Sequence, residues 1–318
     1  MKLTNNFLVL SKNSLDVSDL LKNSGKSKDE ITKTISTTGI SKISYASPRL
    51  LTEFIFLGLQ DLVKYHTDVL KGIDAIIVVS QSFDQRIPSL STRIQKFLNL
   101  ESRAFCIDLM DGCSGFIKAL SLGSTLQKEG FKKILIIAGD INSMMTKNSD
   151  LGTKILFGDG VSISILESDE FPLEAKIYND GDDNNVISCS VTENQMHMDG
   201  FEVFRFTKKN VPKMINDYLT ENKIHINSFD LVAFHQASKL VVNTICNSLK
   251  FKNHLSEDFA CGEIGNLGAG SIGAWLTQIE NLNESEKLKL LAVGYGSGLS
   301  WGIASISIDI NKNEVIYV

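Results

Sequence analysis

Short apolar runs alternate with longer amphipathic stretches along this chain. Three runs rich in Ile and Val, "DAIIVVS" (74–80), "KKILIIAGD" (132–140) and "VSISIL" (161–166), predict buried strands. The apolar spacing within 49–66 and 116–130 predicts helices. Strands that alternate with helices are typical of an α/β fold whose sheets are buried on both faces.

The second half of the chain repeats the order of the first. "FDLVAFHQAS" (229–238) echoes "IDAIIVVSQS" (73–82), and "KLKLLAVGYG" (287–296) echoes "FKKILIIAGD" (131–140), at an offset of about 155 positions in both cases. The small-residue stretch 263–279 follows the stretch around Cys113 at nearly the same offset. Each match alone is weak, but together they predict two copies of one supersecondary unit.

The joint between the copies is expected in or just before 180–188, because its Gly, Asp and Asn residues favour turns. We therefore predict an N-terminal half over residues 1–172 and a C-terminal half over residues 173–318. Equivalent loops of duplicated halves face each other across a pseudo-twofold axis. Cys113 and Asn266 would then meet at one site.

Composition narrows the classes of function. The chain has 318 residues, 43% of them hydrophobic, which is enough for a large core, and its net charge of −5 gives no general basic field for nucleic acid. No apolar run is long enough to span a membrane, and the N-terminus lacks the pattern of a signal peptide. We expect a cytoplasmic protein that binds neither nucleic acid nor membrane.

The five cysteines are scattered and form no CxxC pair. This spacing argues against a disulfide scaffold and against a structural zinc site, so reduced thiols and no bound metal are expected.

Cys113 lies in "DLMDGCSGFIKALSLG" (108–123), between glycines and just ahead of a predicted helix. A helix N-terminus stabilises an anion by about 0.3 to 2 kcal/mol, which would bring a thiol pKa from about 8.5 toward 7 at best. These features indicate that Cys113 is a nucleophile, and the modest effect of the helix requires a base or a hydrogen-bond donor nearby. The alternative is a buried structural thiol, because free cysteine is among the most buried residue types.

Three more segments offer chemistry, each with an ordinary alternative. His235 follows an apolar run, where open α/β sheets place site residues, or it is a core histidine. Asn266 opens a predicted helix and is either a site residue or an N-cap. The Gly-rich segment 294–302 is a tight turn or a source of backbone N–H donors for an oxyanion.

Four motifs in order, "DGCSGFIKAL", "FHQAS", "GNLGAGS" and "GYGSGLSWG", resemble the β-ketoacyl-acyl-carrier-protein synthase III enzymes of the thiolase superfamily. Residues 155–166 and 198–206 are similar to that family's connecting segments, so the resemblance spans nearly the whole chain. It implies a thiolase-like, five-layer αβαβα fold built from two βαβαβαββ halves. It also implies a homodimer that works with acyl carrier protein.

The resemblance assigns a Cys, His, Asn triad to Cys113, His235 and Asn266. Cys113 would accept an acyl group from a thioester, and its own backbone N–H with that of Ser297 would hold the oxyanion. His235 and Asn266 would donate hydrogen bonds to a malonyl thioester as it loses carbon dioxide. The substrates implied are acyl-coenzyme A and malonyl-acyl-carrier-protein, with no cofactor or metal. Asn in place of a second histidine favours the enzyme type that starts acyl chains.

The chain departs from the family at the coenzyme A site. The segment 29–42 lacks the usual tryptophan and arginine, and Lys239 and Leu240 stand near the place of another usual arginine. Coenzyme A-binding residues are therefore not assigned, and the acyl donor is either coenzyme A or a carrier protein.

Ile87, in "SFDQRIPS", stands where the family often presents phenylalanine to the acyl pocket of the partner protomer. Loss of the ring predicts room for a longer or branched primer.

Two other functions stay open at this point. The acyl-cysteine could pass its acyl group to a small amine or alcohol, or the chain could be a non-catalytic thiolase-fold partner that binds acyl groups.

Overall fold

The computed structural model describes residues 1–181, 186–249, 259–278 and 287–318. The strands are β1 (Lys2–Leu10), β2 (Ser14–Asp16), β3 (Lys42–Ser44), β4 (Ala75–Ser80), β5 (Phe105–Met110), β6 (Lys133–Ile141), β7 (Asp159–Glu167), β8 (Glu174–Asn179), β9 (Ile187–Cys189), β10 (Met196–Met198), β11 (Leu231–Phe234), β12 (Leu288–Gly296) and β13 (Ser300–Tyr317). The α-helices are α1 (Val17–Asn23), α2 (Lys28–Thr38), α3 (Leu51–Tyr65), α4 (Thr67–Leu70), α5 (Leu90–Phe97), α6 (Gly115–Lys128), α7 (Leu151–Lys154), α8 (Gly200–Glu221), α9 (Lys239–Leu249) and α10 (Ser271–Thr277).

The main sheet runs in the order β11-β12-β13-β1-β7-β6-β4-β5, and β8 also pairs with β13. The path β1-β7-β6-β4 has two antiparallel pairings followed by a parallel one. The path β8-β13-β12-β11 has the same senses in the same order. This topology supports the predicted duplication. The boundary between residues 172 and 173 stays a prediction, and residues 182–185 of the expected joint lie outside the described residues.

Side-chain alternation along β4 shows how the layers are stacked. Ala75, Ile77 and Val79 face a central core, whereas Ile76 and Val78 face an outer core. Successive strand residues point to opposite faces, so a strand buried on both sides must be apolar at every position. The continuous run "AIIVV" in the sequence meets this requirement.

Strand β11 shows the same alternation from the other half. Leu231 and Ala233 share the central core with β4, and Val232 and Phe234 face a second outer core. Helices α6 and α10 fill the central core with residues such as Phe116 and Ile272. Helices α3 and α5 cover one outer face, and α8 and α9 cover the other, which gives five layers in the order αβαβα.

The elements predicted from periodicity are present, with boundaries shifted by at most two residues. The first strand was not predicted, because Asn5 and Asn6 interrupt its apolar pattern. Asn6 is nevertheless buried, and its Nδ2 donates to the Gly273 carbonyl at 2.9 Å. A buried polar residue is tolerated when it has such a partner. Among the described residues, none of the helices combines the length and apolar character needed to cross a membrane.

Candidate active site

Cys113 lies in the loop that joins β5 to α6, with Ser114 as the N-cap of the helix. Glycines allow the close packing around this loop. A Cβ at Gly115 would lie 2.4 Å from Val79 Cγ1, and a Cβ at Gly296 would lie 2.6 Å from Cys113 Cβ. The loop is therefore held between β4 and the end of β12, and the thiol is placed at the N-terminus of a buried helix.

The pKa of the Cys113 thiol is raised to about 12, chiefly by burial and then by the negative charge of Asp140. Hydrogen bonds from the backbone N–H groups of Cys113 and Ser297 act in the opposite direction. The lowering of the pKa that the helix terminus alone would produce is therefore outweighed by burial and by a neighbouring carboxylate. Cys113 is a protonated thiol at neutral pH, with two N–H donors directed at its sulfur.

His235 follows β11 directly and is only 1% exposed. Its backbone N–H donates to the Val293 carbonyl at 2.8 Å, and Tyr295 Oη donates to the His235 carbonyl at 2.7 Å. The imidazole ring lies edge-on to the Tyr295 ring, with centroids 5.2 Å apart. These contacts fix the histidine at the carboxyl edge of the sheet.

Burial lowers the pKa of His235 to about 3, although a hydrogen bond with the Gly268 backbone opposes the shift. The imidazole is therefore neutral at physiological pH. Its Nδ1 lies 2.6 Å from Ser271 Oγ, and that oxygen accepts from the Gln236 N–H at 3.3 Å. The serine hydrogen is then available for Nδ1, an arrangement that would leave the imidazole proton on Nε2.

Asn266 is 4% exposed and forms a parallel bridge with Phe157. Its backbone N–H donates to the Leu156 carbonyl at 2.8 Å, and its Oδ1 accepts from the Gly268 N–H at 2.9 Å. Because Oδ1 faces this backbone group, the amide presents Nδ2 as its donor on the other side. The bond to a residue two positions ahead is the capping geometry expected of Asn at the start of a turn.

Cys113, His235 and Asn266 lie close together, because residues of two short backbone segments contact them. Tyr295 contacts the ring of His235, and the next residue, Gly296, packs against Cys113. Gly268 bonds both the imidazole of His235 and the amide of Asn266. The fold thus brings together a sulfur from one predicted half and an imidazole and an amide from the other.

Two further residues near the thiol were not identified from the sequence. Asp140, at the end of β6, is buried, and its Oδ1 accepts hydrogen bonds from Ser80 Oγ at 2.7 Å and from the Gln81 N–H at 2.6 Å. Gln81 Nε2 in turn donates to Ser297 Oγ at 3.1 Å. Asp140 and Gln81 each lie at the end of a predicted strand, which is the only local signal of a role.

Two cavities lie beside this neighbourhood, and Gln81 lines both. The first is a groove of roughly 640 Å³ that extends past Met110 and Met196, and the second, of roughly 300 Å³, is lined by Ser297 and Lys118. Ile87 is 84% exposed, on the loop between β4 and α5. Its side chain is therefore almost fully open to solvent.

The chemistry available here is that of a nucleophile and hydrogen-bond donors. Two backbone N–H groups face the sulfur, and a neutral imidazole and an amide lie nearby. In the part of the chain that the structure describes, no group of three or more His, Cys, Asp or Glu residues has the geometry to hold a metal ion. Preorganised donors of this kind stabilise negative charge as it develops on a carbonyl oxygen.

Comparison with known proteins agrees with this description. The family 3-oxoacyl-[acyl-carrier-protein (ACP)] synthase III matches residues 107–181, and its C-terminal region matches residues 219–308. A β-ketoacyl-[acyl-carrier-protein] synthase III of Streptococcus agalactiae (strain NEM316) is 30% identical over 254 residues, which are 74% of this chain and 78% of the relative. One of Streptococcus gordonii is 29% identical over 294 residues, covering 86% and 89% of the two chains.

The solved structure of a 3-oxoacyl-(acyl-carrier protein) synthase from Burkholderia xenovorans LB400 superposes with a TM-score of 0.88, at 23% identity, over 100% of this chain and 97% of that one. The layers, the strand order and this superposition define a thiolase-like fold, which confirms the predicted fold class. By its matches in sequence, the chain belongs to the 3-oxoacyl-[acyl-carrier-protein] synthase III family.

Proposed function

We propose that the protein transfers an acyl group from a thioester to Cys113 and condenses it with a malonyl thioester, with loss of carbon dioxide, to start an acyl chain. The observation that carries this proposal is the meeting of one thiol, two N–H donors to its sulfur, a neutral imidazole and an amide. Family membership supports it. Transfer to an amine or alcohol and a purely acyl-binding role are not favoured.

In the first half-reaction Cys113 Sγ attacks the carbonyl carbon of the acyl thioester. The carbonyl oxygen gains negative charge and is held by the N–H groups of Cys113 and Ser297, which already point toward the sulfur. Collapse of this intermediate breaks the bond to the donor sulfur, and the proton of the Cys113 thiol ends on the departing thiol. Because the pKa of Cys113 is raised, the proton leaves as the carbon–sulfur bond forms.

In the second half-reaction the malonyl thioester loses carbon dioxide, and the electron pair left behind forms an enolate. His235, with its proton on Nε2, and Asn266, through Nδ2, donate to the enolate oxygen. A neutral donor suits this step because it stabilises the charge without protonating the carbon nucleophile. The enolate carbon then attacks the acyl-cysteine carbonyl, the new carbon–carbon bond forms, and Cys113 leaves as a thiolate that takes up a proton.

The malonyl group is proposed to arrive on acyl carrier protein, and the acyl donor to be coenzyme A or a carrier protein. The chemistry described needs no further cofactor. The cytoplasmic location expected from the sequence remains a prediction.

A homodimer is proposed from the edge of the sheet. Strand β5 lies at one end of the main sheet, beyond β4, and Met110 at its end is 76% exposed. An edge strand presents unpaired backbone groups to which a second copy can add. Pairing there would bring Ile87 of one protomer toward the groove of the other, as the predicted acyl-pocket role of Ile87 requires.

The test uses intact-protein mass after incubation with acetyl-coenzyme A or an acyl carrier protein thioester. We expect an adduct of one acyl group on the wild-type chain and none on Cys113→Ser, because a hydroxyl is a far weaker nucleophile here. Cys106→Ser, which changes a half-buried thiol near the start of β5, is the matched control and should acylate normally. An adduct that persists in Cys113→Ser would refute the assignment of the nucleophile.

A further inference from the structure

Gln81 connects the sheet to the loop that carries one of the two N–H donors. It follows β4, and its Nε2 donates to Ser297 Oγ at 3.1 Å. The backbone N–H of the same Ser297 acts to lower the pKa of the Cys113 thiol. The loop is also close to the thiol, because a Cβ on the adjoining Gly296 would lie 3.0 Å from Cys113 Sγ. The carboxamide of Gln81 therefore holds the side chain of the residue whose backbone faces the thiol.

Gln81 is itself firmly anchored. Its backbone N–H donates to Asp140 Oδ1 at 2.6 Å, and the same oxygen accepts from Ser80 Oγ at 2.7 Å and from the Ser82 N–H at 3.1 Å. Asp140 is 1% exposed at the end of β6. Charge-assisted bonds to a buried carboxylate are among the strongest that a backbone makes. The backbone of Gln81 is thus fixed to both β4 and β6.

Ser297, the residue that Gln81 contacts, lies in a glycine-rich segment whose backbone direction must be fixed by neighbouring residues. Ser297 stands between Gly296 and Gly298, and Gly298 has a φ of +136°. Glycine restricts the backbone less than any other residue, so neighbours must determine the direction of the Ser297 N–H. The serine hydroxyl provides an attachment that glycine would lack.

Packing around Gly112 shows how closely the parts fit. A Cβ on Gly112 would lie 2.5 Å from Ser297 Oγ and 2.6 Å from Gln81 Oε1. The carboxamide and the hydroxyl are therefore pressed against the backbone of the residue that precedes Cys113. A shift of either side chain would change the position of the donor relative to the sulfur.

We propose that Gln81 is a positioning residue that holds the Ser297 N–H at the sulfur of Cys113 through its hydrogen bond to Ser297 Oγ. This inference rests on the proposed function, because it assigns that N–H to the oxyanion of the acylation step. Gln81 acts through Ser297 and need not touch the substrate. In reactions that depend on alignment, a misplacement of about 1 Å costs about 100-fold in rate.

The experiment compares Gln81→Leu, Ser297→Ala and the double variant with the wild type. Ser297→Ala keeps the backbone N–H and removes only the attachment. The matched control is Gln95→Leu, since Gln95 makes a similar side-chain bond, to the Glu101 carbonyl, on the exposed face of α5. The acylation rate is measured by intact mass, and the rate of Cys113 alkylation by iodoacetamide is measured between pH 7 and 10.

We expect each single variant to acylate about 10-fold to 100-fold more slowly, and the double variant to be no slower than the singles, because all three lose the same constraint. Alkylation should slow about 2-fold to 10-fold at each pH, the worth of one hydrogen bond to the thiolate. A loss of packing alone would not change how the rate of Cys113 alkylation depends on pH. Gln95→Leu should match the wild type in both assays.

The two proposals fail in different ways. If the wild-type chain forms no acyl adduct on Cys113, the proposed function is wrong. If the wild type acylates while Gln81→Leu and Ser297→Ala behave like Gln95→Leu, or if the effects of the two changes multiply in the double variant, the inference is overturned. Circular dichroism establishes that each variant is folded, and Ser297→Ala alone decides the question if Gln81→Leu does not fold.

Discussion

Gly296→Ala is a direct probe of the packing that places the nucleophile. The new Cβ would lie 2.6 Å from Cys113 Cβ and 3.0 Å from Cys113 Sγ. Carbon atoms pack at about 3.5 to 4.0 Å, so the two backbones must separate by about 1 Å. Cys113 cannot move that far and keep its sulfur at the Ser297 N–H.

A displacement of this size predicts a loss of about 100-fold in the rate of acylation. Overpacking should also lower the free energy of unfolding by about 1 to 3 kcal/mol, which leaves most of the chain folded. The acylation rate is measured by intact mass, and the melting temperature by circular dichroism. Gly200→Ala is the matched control, since a Cβ there meets nothing within 4 Å. Wild-type acylation by a folded Gly296→Ala would refute the described packing.

Three further predictions test the roles of other groups. His235→Ala and Asn266→Ala should slow carbon dioxide release far more than acylation, and the reverse pattern in single-turnover assays would contradict their roles. Because burial lowers the pKa of His235 to about 3, the unfolded chain binds the extra proton as pH falls below about 6.5, and stability declines. Urea titrations between pH 7 and 4 should show a shallower decline for His235→Asn, and an unchanged slope would contradict a neutral buried imidazole. Ile87→Phe should reduce the use of branched or medium-chain primers relative to acetyl, whereas strict acetyl preference in the wild type would contradict the predicted pocket.

Much of the fold follows from local pattern. A run such as "AIIVV" in β4 can be buried on both faces only in an inner strand, so its burial was predictable. Strand β1 was missed because the partners that satisfy its asparagines are remote in sequence. The carbonyl that accepts from Asn6 belongs to Gly273, 267 positions away. Tertiary contacts of this kind leave no trace in a local window.

The residues of the candidate site also fall into two groups: those that the sequence suggests and those that only the folded structure shows. The resemblance of four ordered motifs to a known family assigned roles to Cys113, His235 and Asn266, whereas the local pattern alone left each of them with a structural alternative. The direction of the Cys113 pKa was not predictable, because it depends on burial and on the charge of Asp140. Gln81 was missed because its partner, Ser297, lies 216 positions away. Roles that depend on one remote hydrogen bond require the folded structure.

The most direct test of the central claim is a single-turnover chase of the isolated acyl-enzyme. Wild-type protein carrying one acyl group on Cys113 is mixed with malonyl-acyl-carrier-protein, and loss of the Cys113 acyl peptide is followed together with carbon dioxide release. The proposed reaction predicts one carbon dioxide for each acyl group lost, with the product extended by two carbons. Acyl loss without carbon dioxide, or carbon dioxide release that leaves the acyl group on Cys113, would contradict it.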